Sequence, residues 1–322
     1  MPTVLITGGH GGIGLECSKH LAANYHANLV LAGRSLDRID PVARDLARAY
    51  GVKVDTLKLD TSSLASVREA AAKCRSMLEN GTLGPLDALL CNAGVRLSGP
   101  ITYSPDGYEE TFATNCLGHF LLVELLADRL TGQGRIVYTS SGTHDPDTAD
   151  GRMVGAAVEP DAKALAHDGK DGKKPLSTGV RYSTSKLCNI LYAYELDRRL
   201  RRSGSKISAF AYDPGATMGT GFLRSMPKPV QWLSNSAFTI WLMRKLGVTI
   251  GSTGFSGAGL AKVALDPAYV DSSGAYVQSN DGRLLTTRSS KASYDEQTAF
   301  RLWTDSIDLV RLRPDEEAVF LR

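Results

Sequence analysis

Short runs of apolar, β-branched residues alternate with longer stretches whose apolar positions recur every three or four residues. The short runs, at 4–7, 28–32, 54–60, 88–92, 135–140 and 207–213, predict strands. The longer stretches, at 14–24, 40–50, 63–78, 106–130 and 182–203, predict helices. This alternation over two-thirds of the chain predicts an α/β protein, a doubly wound parallel sheet with right-handed crossovers and helices on both faces. A last short strand near 275–278 closes the sheet edge. The pattern shows no internal repeat, so residues 1–322 are expected to form a single domain.

Two stretches break the rhythm. Residues 142–181 are polar, rich in Asp, Lys and Gly. They are too long for a plain connection and predict an inserted loop near a functional site. Residues 223–251 carry Pro227 and Pro229, then Trp232, Leu233, Phe238, Ile240, Trp241, Leu242 and Met243. They predict a small apolar helical lid. Both stretches follow strand carboxyl ends, the side on which open α/β sheets bind ligands. The lid points to a bulky apolar small-molecule substrate. Its other readings are a packed satellite core, an oligomer surface, or a peripheral membrane contact through Trp232, Trp241, Arg244 and Lys245.

Charge and cysteine usage narrow the class. The net charge is only +3, with both signs interspersed, so no nucleic-acid stripe is present. The cluster Arg198, Arg199, Arg201 and Arg202 suits a helix C-terminus. Five cysteines (17, 74, 91, 116 and 188) lack paired spacing. They predict reduced thiols, no structural metal and an intracellular protein. No secretory signal precedes the first strand and no apolar run is long enough to span a bilayer. A cytoplasmic location is expected, with membrane association as the alternative.

The chemistry-bearing positions fall at strand ends. Residues 7–14 read TGGHGGIG between the first strand and first helix. Glycine there admits a pyrophosphate to a helix N-terminus. Thr7, Gly8, His10, Gly12, Ile13 and Gly14 are therefore expected cofactor contacts, with a solvated loop as the other reading of His10. The second strand ends in Gly33, Arg34 and Ser35, where an acid would hold a ribose 2′-hydroxyl and an Arg suits a 2′-phosphate. This favours NADP(H), although Asp37 stands close by. Asp60 and Thr61 are expected cofactor contacts, Asp60 suiting the adenine amino group; the other reading is a cap on the next helix, with Thr61, Ser62 and Ser63 competing for that role. Asn92, Ala93 and Gly94 leave room for a cofactor across the sheet. Asn115 lies in an apolar helix, where a binding or buried structural role explains it. Ser140 and Ser141 end the fifth strand with hydroxyls facing the ligand edge. Pro214, Gly215 and Thr217 belong to a sharp turn suited to wall a nicotinamide.

Tyr182 and Lys186 lie four apart on one helix face. A cation beside a phenol favours the phenolate. At an effective dielectric of about 20 and about 4 Å, the attraction is roughly 4 kcal/mol, an upper bound of about three pK units. A phenol so lowered exchanges protons near neutral pH.

Taken in order, TGGHGGIG, Asp60, Asn92-Ala93-Gly94, Asn115, the Ser140-Ser141 ending, YSTSK and Pro214-Gly215 resemble the short-chain dehydrogenase/reductase family, non-extended type, over nearly the whole chain. The resemblance implies a Rossmann fold with a seven-stranded sheet of order 3-2-1-4-5-6-7. It implies Tyr182 as general acid or base, with Lys186 lowering its pKa and binding the ribose. Asn115 would hold a proton-relay water, and Ser141 would be the catalytic serine, with Ser140 as fallback. YSTSKLCNILYAYEL, PGATMGTGFLRS and the terminal AFRLWTDSIDLV are similar to the retinol dehydrogenase and light-dependent protochlorophyllide reductase branch. The latter group carries a Cys where this chain has Ala216. Carbonyl reduction with NADPH is therefore expected before light-driven C=C reduction. A non-catalytic NADP-binding sensor is the alternative of another class.

Overall fold

The structure, a computed structural model, describes residues 1–170, 172–217, 245–316 and 318–321. Its main sheet has eight strands: β1 (Thr3–Thr7), β2 (Asn28–Gly33), β3 (Val54–Lys58), β4 (Leu86–Cys91), β5 (Leu130–Thr139), β6 (Ser208–Asp213), β9 (Tyr276–Asn280) and β10 (Arg283–Thr287). Their order is 3-2-1-4-5-6-9-10. Neighbours from β3 to β9 run parallel, and β10 pairs antiparallel with β9 at the edge. The expected seven-strand order is present, with one strand added. Two residues in the left-handed region, Asp281 (φ 48°) and Gly282 (φ 76°), make the tight turn between β9 and β10. Asp-Gly is a preferred pair for a two-residue hairpin because only such residues accept two positive φ values cheaply. β7 (Ala216–Thr217) and β8 (Ile250–Gly251) form a separate small parallel pair.

Apolar strand residues are buried on both faces, which is what near-continuous Val, Leu, Ile and Ala runs require. One core layer holds α3 (Leu64–Glu79), α5 (Gly118–Leu126), α8 (Thr178–Arg202) and α10 (Glu296–Val310). The other holds α1 (Gly12–Tyr25), α2 (Leu36–Tyr50) and α9 (Thr253–Leu265). α1 and α9 approach closely: a Cβ on Gly257 would lie 2.4 Å from Glu16 Cβ. All five cysteines are buried free thiols.

Residues 106–130 do not form the one helix their pattern predicts. α4 (Glu110–Phe112) passes into a π turn over Ala113–Leu117, closed by Gly118 N–H donating to Ala113 O five residues back, before α5 continues. α5 lies so near the β3–α3 connection that a Cβ on Gly118 would be 2.0 Å from Thr61 O. The polar insert also contains structure: α6 (Ala149–Val154) and α7 (Ala162–Ala166) precede α8. Buried Arg181 ties it down, at 3.4 Å from Glu109 Oε1 and 3.8 Å from Asp168 Oδ2. Of the expected lid at 223–251, residues 223–244 lie outside the described residues, as do its tryptophans. Among the described residues, no helix is long and apolar enough to cross a membrane.

Candidate active site

A cleft of about 350 Å³ opens over the carboxyl ends of β1, β2 and β4. Its wall includes Thr7, Gly8, His10, Gly12, Ile13, Gly14, Arg34, Ser35, Thr61, Asn92, Ala93 and Gly94, all anticipated from sequence. Gly14 has no room for a side chain, since a Cβ would lie 2.3 Å from Gly8 O. α1 starts here behind Gly11, with no side-chain cap over its first N–H groups. Those groups and the helix dipole make an anion site. At the β2 end Arg34 is joined by Arg38, which sequence reading passed over because it lies one turn into α2. Among the described residues, buried Nδ1 of His10 has no hydrogen-bond partner. Burial, then the Arg38 charge, lower the His10 pKa. A bare glycine cradle, two guanidiniums and an unused ring nitrogen fit a phosphorylated dinucleotide.

Asp60 does not line this cleft. Its Oδ1 accepts from Ser62 N at 3.0 Å and Ser62 Oγ at 2.7 Å, while Ser63 caps α3. Pro214, Gly215 and Thr217 also lie outside its wall, on the turn after β6. That turn is fixed by Ser256 Oγ donating to Pro214 O (2.6 Å) and Gly215 N donating to Asp213 Oδ1 (2.9 Å).

Next to the cleft stand the four expected catalytic side chains. Ser177 caps α8 by accepting from Val180 N, which sets the phase of Tyr182 and Lys186 one turn on. Lys186 Nζ stands 5.6 Å from the Tyr182 ring centroid and donates to Thr139 O at 3.0 Å. A Cβ on Gly94 would touch Asn115 Oδ1 at 3.3 Å and Lys186 Nζ at 3.4 Å, so the end of β4 abuts both. Asn115, fully buried in the π turn, accepts from Val95 N (2.8 Å) and donates to Val95 O and Ser185 Oγ (3.0 Å each). Ser185 Oγ in turn donates to Tyr182 O at 2.7 Å. The two serines part company: Ser140 Oγ donates to Lys186 O at 2.8 Å, whereas the Ser141 side chain hydrogen-bonds Tyr182.

The electrostatics differ from the simple expectation. Burial pushes Tyr182 up to about 12. The Ser141 hydrogen bond pulls down, Asp213 pushes up, and Arg96 pulls down. Burial also lowers the pKa of neighbouring Lys186, to about 8. Burial therefore outweighs the expected depression and leaves the phenol protonated at neutral pH. A phenol of this kind donates a proton readily only to a strongly basic oxygen, such as one that is gaining negative charge.

Three residues that sequence reading missed hold the site. Asp213, fully buried, accepts from Tyr276 Oη and Gln278 Nε2 (2.8 Å each) and bears on Tyr182 and Lys186. His144 Nδ1 donates to Ser141 O at 2.7 Å, and its Nε2 accepts from Ser290 N at 2.9 Å. His119 lies behind Asn115, within hydrogen-bonding distance of Asn115 O and Thr7 Oγ1. An isolated polar residue four places after Asn115 in an apolar helix was the available signal for His119.

Residues 2–152 match the family model for short chain dehydrogenases, a span that runs from the glycine turn past Ser141. Short-chain dehydrogenase TIC 32 A, chloroplastic, of Brassica napus is 31% identical over 97% of this chain and 89% of its own length. Polyprenol dehydrogenase of Danio rerio is 31% identical, covering 96% and 86%. Protochlorophyllide reductase A, chloroplastic, of Oryza sativa subsp. japonica is 30% identical, covering 96% and 80%.

Proposed function

The chain belongs to the short-chain dehydrogenases, and on that premise we propose that it reduces a carbonyl of a bulky apolar substrate with NADPH, or oxidises the matching alcohol. The observation that carries this reading is the Tyr182 hydroxyl, hydrogen-bonded to Ser141 and flanked by Lys186, whose Nζ lies against Gly94 of the cleft wall. When bound, the nicotinamide cofactor supplies or accepts the hydride. In reduction, Ser141 and Tyr182 bind the carbonyl oxygen, and the Tyr182 proton passes to it as charge develops there. Lys186 holds the cofactor ribose and recharges the phenol. Asn115 fixes the spacing between the β4 end and α8. Arg34 and Arg38, with His10, take the 2′-phosphate, which supports NADPH over NADH.

A dehydrogenase named for polyprenol among the relatives supports an apolar alcohol or carbonyl as substrate. The protochlorophyllide reductase relative supports a second reading, light-driven C=C reduction. Ala216, where that group carries Cys, weighs against it. The test is NADPH and NADH consumption, in darkness and in light, over a panel of long-chain ketones, aldehydes and a tetrapyrrole. Dark NADPH-dependent turnover that Tyr182→Phe abolishes, with NADPH binding retained, is the expected result. Full turnover by Tyr182→Phe rules out the mechanism, and turnover only in light selects the second reading.

A further inference from the structure

His119 is completely buried between the glycine turn, 112 residues away in sequence, and the π turn that immediately precedes it on its own helix. Its Nε2 lies 2.9 Å from Thr7 Oγ1 in the glycine turn, and its Nδ1 lies 3.2 Å from the main-chain oxygen of Asn115. A carbonyl oxygen only accepts, so Nδ1 carries the ring hydrogen and donates it. The ring is neutral at physiological pH: burial lowers its pKa to about 4, against the Asn115 bond and with the help of the Lys186 charge. Nε2 is then a lone pair. Thr7 Oγ1 already accepts from Asn92 N and Ala93 N at 2.9 Å each, so its remaining capacity is its one proton. Leu90 O at 3.3 Å competes for that proton, and the nearer imidazole nitrogen takes it.

The result is a hydrogen-bond chain with one direction. The β4-end amides donate to Thr7, Thr7 donates to His119, and His119 donates to the Asn115 carbonyl. Successive bonds in such a chain polarise one another. Thr7 and Ala93 also face the cleft, and Asn115 abuts Lys186 through Gly94. A histidine merely packed in the core would need two partners, but nothing would require one of them to be the hydroxyl that gathers the β4-end amides at the cleft.

We propose that His119 is a positioning residue that couples the nucleotide-binding turn to Asn115, so that ordering one orders the other. This rests on the reductase reading above, in which the glycine turn binds the cofactor and the π turn carrying Asn115 spaces the β4 end from α8. The two bonds can be separated by substitution. Asn at 119 places an amide near Nδ1 and keeps the donor to Asn115 O while losing Thr7. Gln reaches the Nε2 position and keeps the Thr7 partner while losing Asn115. In His119→Asn the loss is expected mainly in NADPH affinity, by about tenfold, and in His119→Gln mainly in kcat, by about tenfold, each for one hydrogen bond. Affinity is read by NADPH fluorescence, independently of turnover. Nitrogen-15 spectra of the histidines should show His119 as the neutral Nδ1–H form from pH 5 to 8, whatever the activity. Equal losses in both parameters for both variants, or an Nε2–H ring, overturn the coupling while leaving the reductase reading intact. Failure of the unaltered protein to bind NADPH or NADH overturns both.

Discussion

Tyr182 and Lys186 illustrate how burial overrides spacing. Four residues apart on α8, they were expected to pair as phenolate and ammonium, yet desolvation holds one near 12 and the other near 8. A buried charge is disfavoured whichever sign it has, so the acid rises and the base falls. In reduction this division is useful, because the donor stays protonated and the cation beside it titrates within reach of working pH. kcat/KM for NADPH in the reductive direction reports the free enzyme and should therefore fall as pH rises through about 8, where Lys186 loses its charge. A profile flat from pH 7 to 9.5 would contradict this assignment. The same shift is a stability cost. Lys186 has a folded pKa below its unfolded value near 10.5, so stability falls as pH drops from that value through about 8, and the loss is complete below. A shift of this size corresponds to a few kcal/mol, on the order of 3. Lys186→Met should thus be inactive and more stable at pH 7 by ~1–3 kcal/mol in urea unfolding. Thr139 O would not be orphaned, since Asn189 Nδ2 also donates to it at 2.9 Å. A destabilised variant would refute the argument.

At the scale of elements, α5 is set by a single absence. Gly118 lets the helix following the π turn cross Thr61 O at a distance no side chain allows. Gly118→Ala must move backbone against backbone and should cost at least about 2 kcal/mol, with NADPH affinity falling too because Thr61 lines the cleft. Gly132→Ala, where a Cβ meets nothing within 4 Å, is the control. Parity between the two in urea melts would show that α5 is free to shift. The π turn itself had no sequence signal, because residues 112–127 carry apolar side chains on every side of a helix and so hide a one-residue slip in period. The glycine turn, the Asn92-Ala93-Gly94 end and the Tyr182–Lys186 pair were legible because each is a local pattern at the end of a strand or on one helix face. The β9–β10 hairpin was equally legible in Asp281-Gly282 and went unread. Arg38, His144 and Asp213 were not readable in this way, and His119 showed only as a polar residue isolated in an apolar helix. Their roles arise from contacts that only the closed sheet creates, such as His144 meeting Ser290 N.

Over the whole molecule, the cofactor cleft lies in the first half of the chain, yet its supports come from the second. α9 packs its Gly257 against α1, directly behind the glycine turn, and α8 brings Lys186 to the β4 end. Ligand at the cleft should therefore stabilise both halves together. A ligand at 100 times its Kd adds about 2.7 kcal/mol to a protein that binds it only when folded. The gain should differ between cofactors in a pH-dependent way. His10 is neutral at pH 7 because burial and Arg38 disfavour its charged form. A 2′-phosphate beside it would favour that form, so NADPH binding takes up a proton and tightens as pH falls from 8 to 6, whereas NADH binding does not. At equal ligand concentration NADPH should raise Tm more than NADH, with an excess that grows on acidification. Arg38→Ala should shrink the excess at every pH by removing a phosphate partner, and His10→Asn should remove its pH dependence alone. Far- and near-ultraviolet circular dichroism should report one common shift. Equal shifts for the two cofactors would show that Arg34, Arg38 and His10 do not read a phosphate, and two separate transitions would show that the halves do not share their stability.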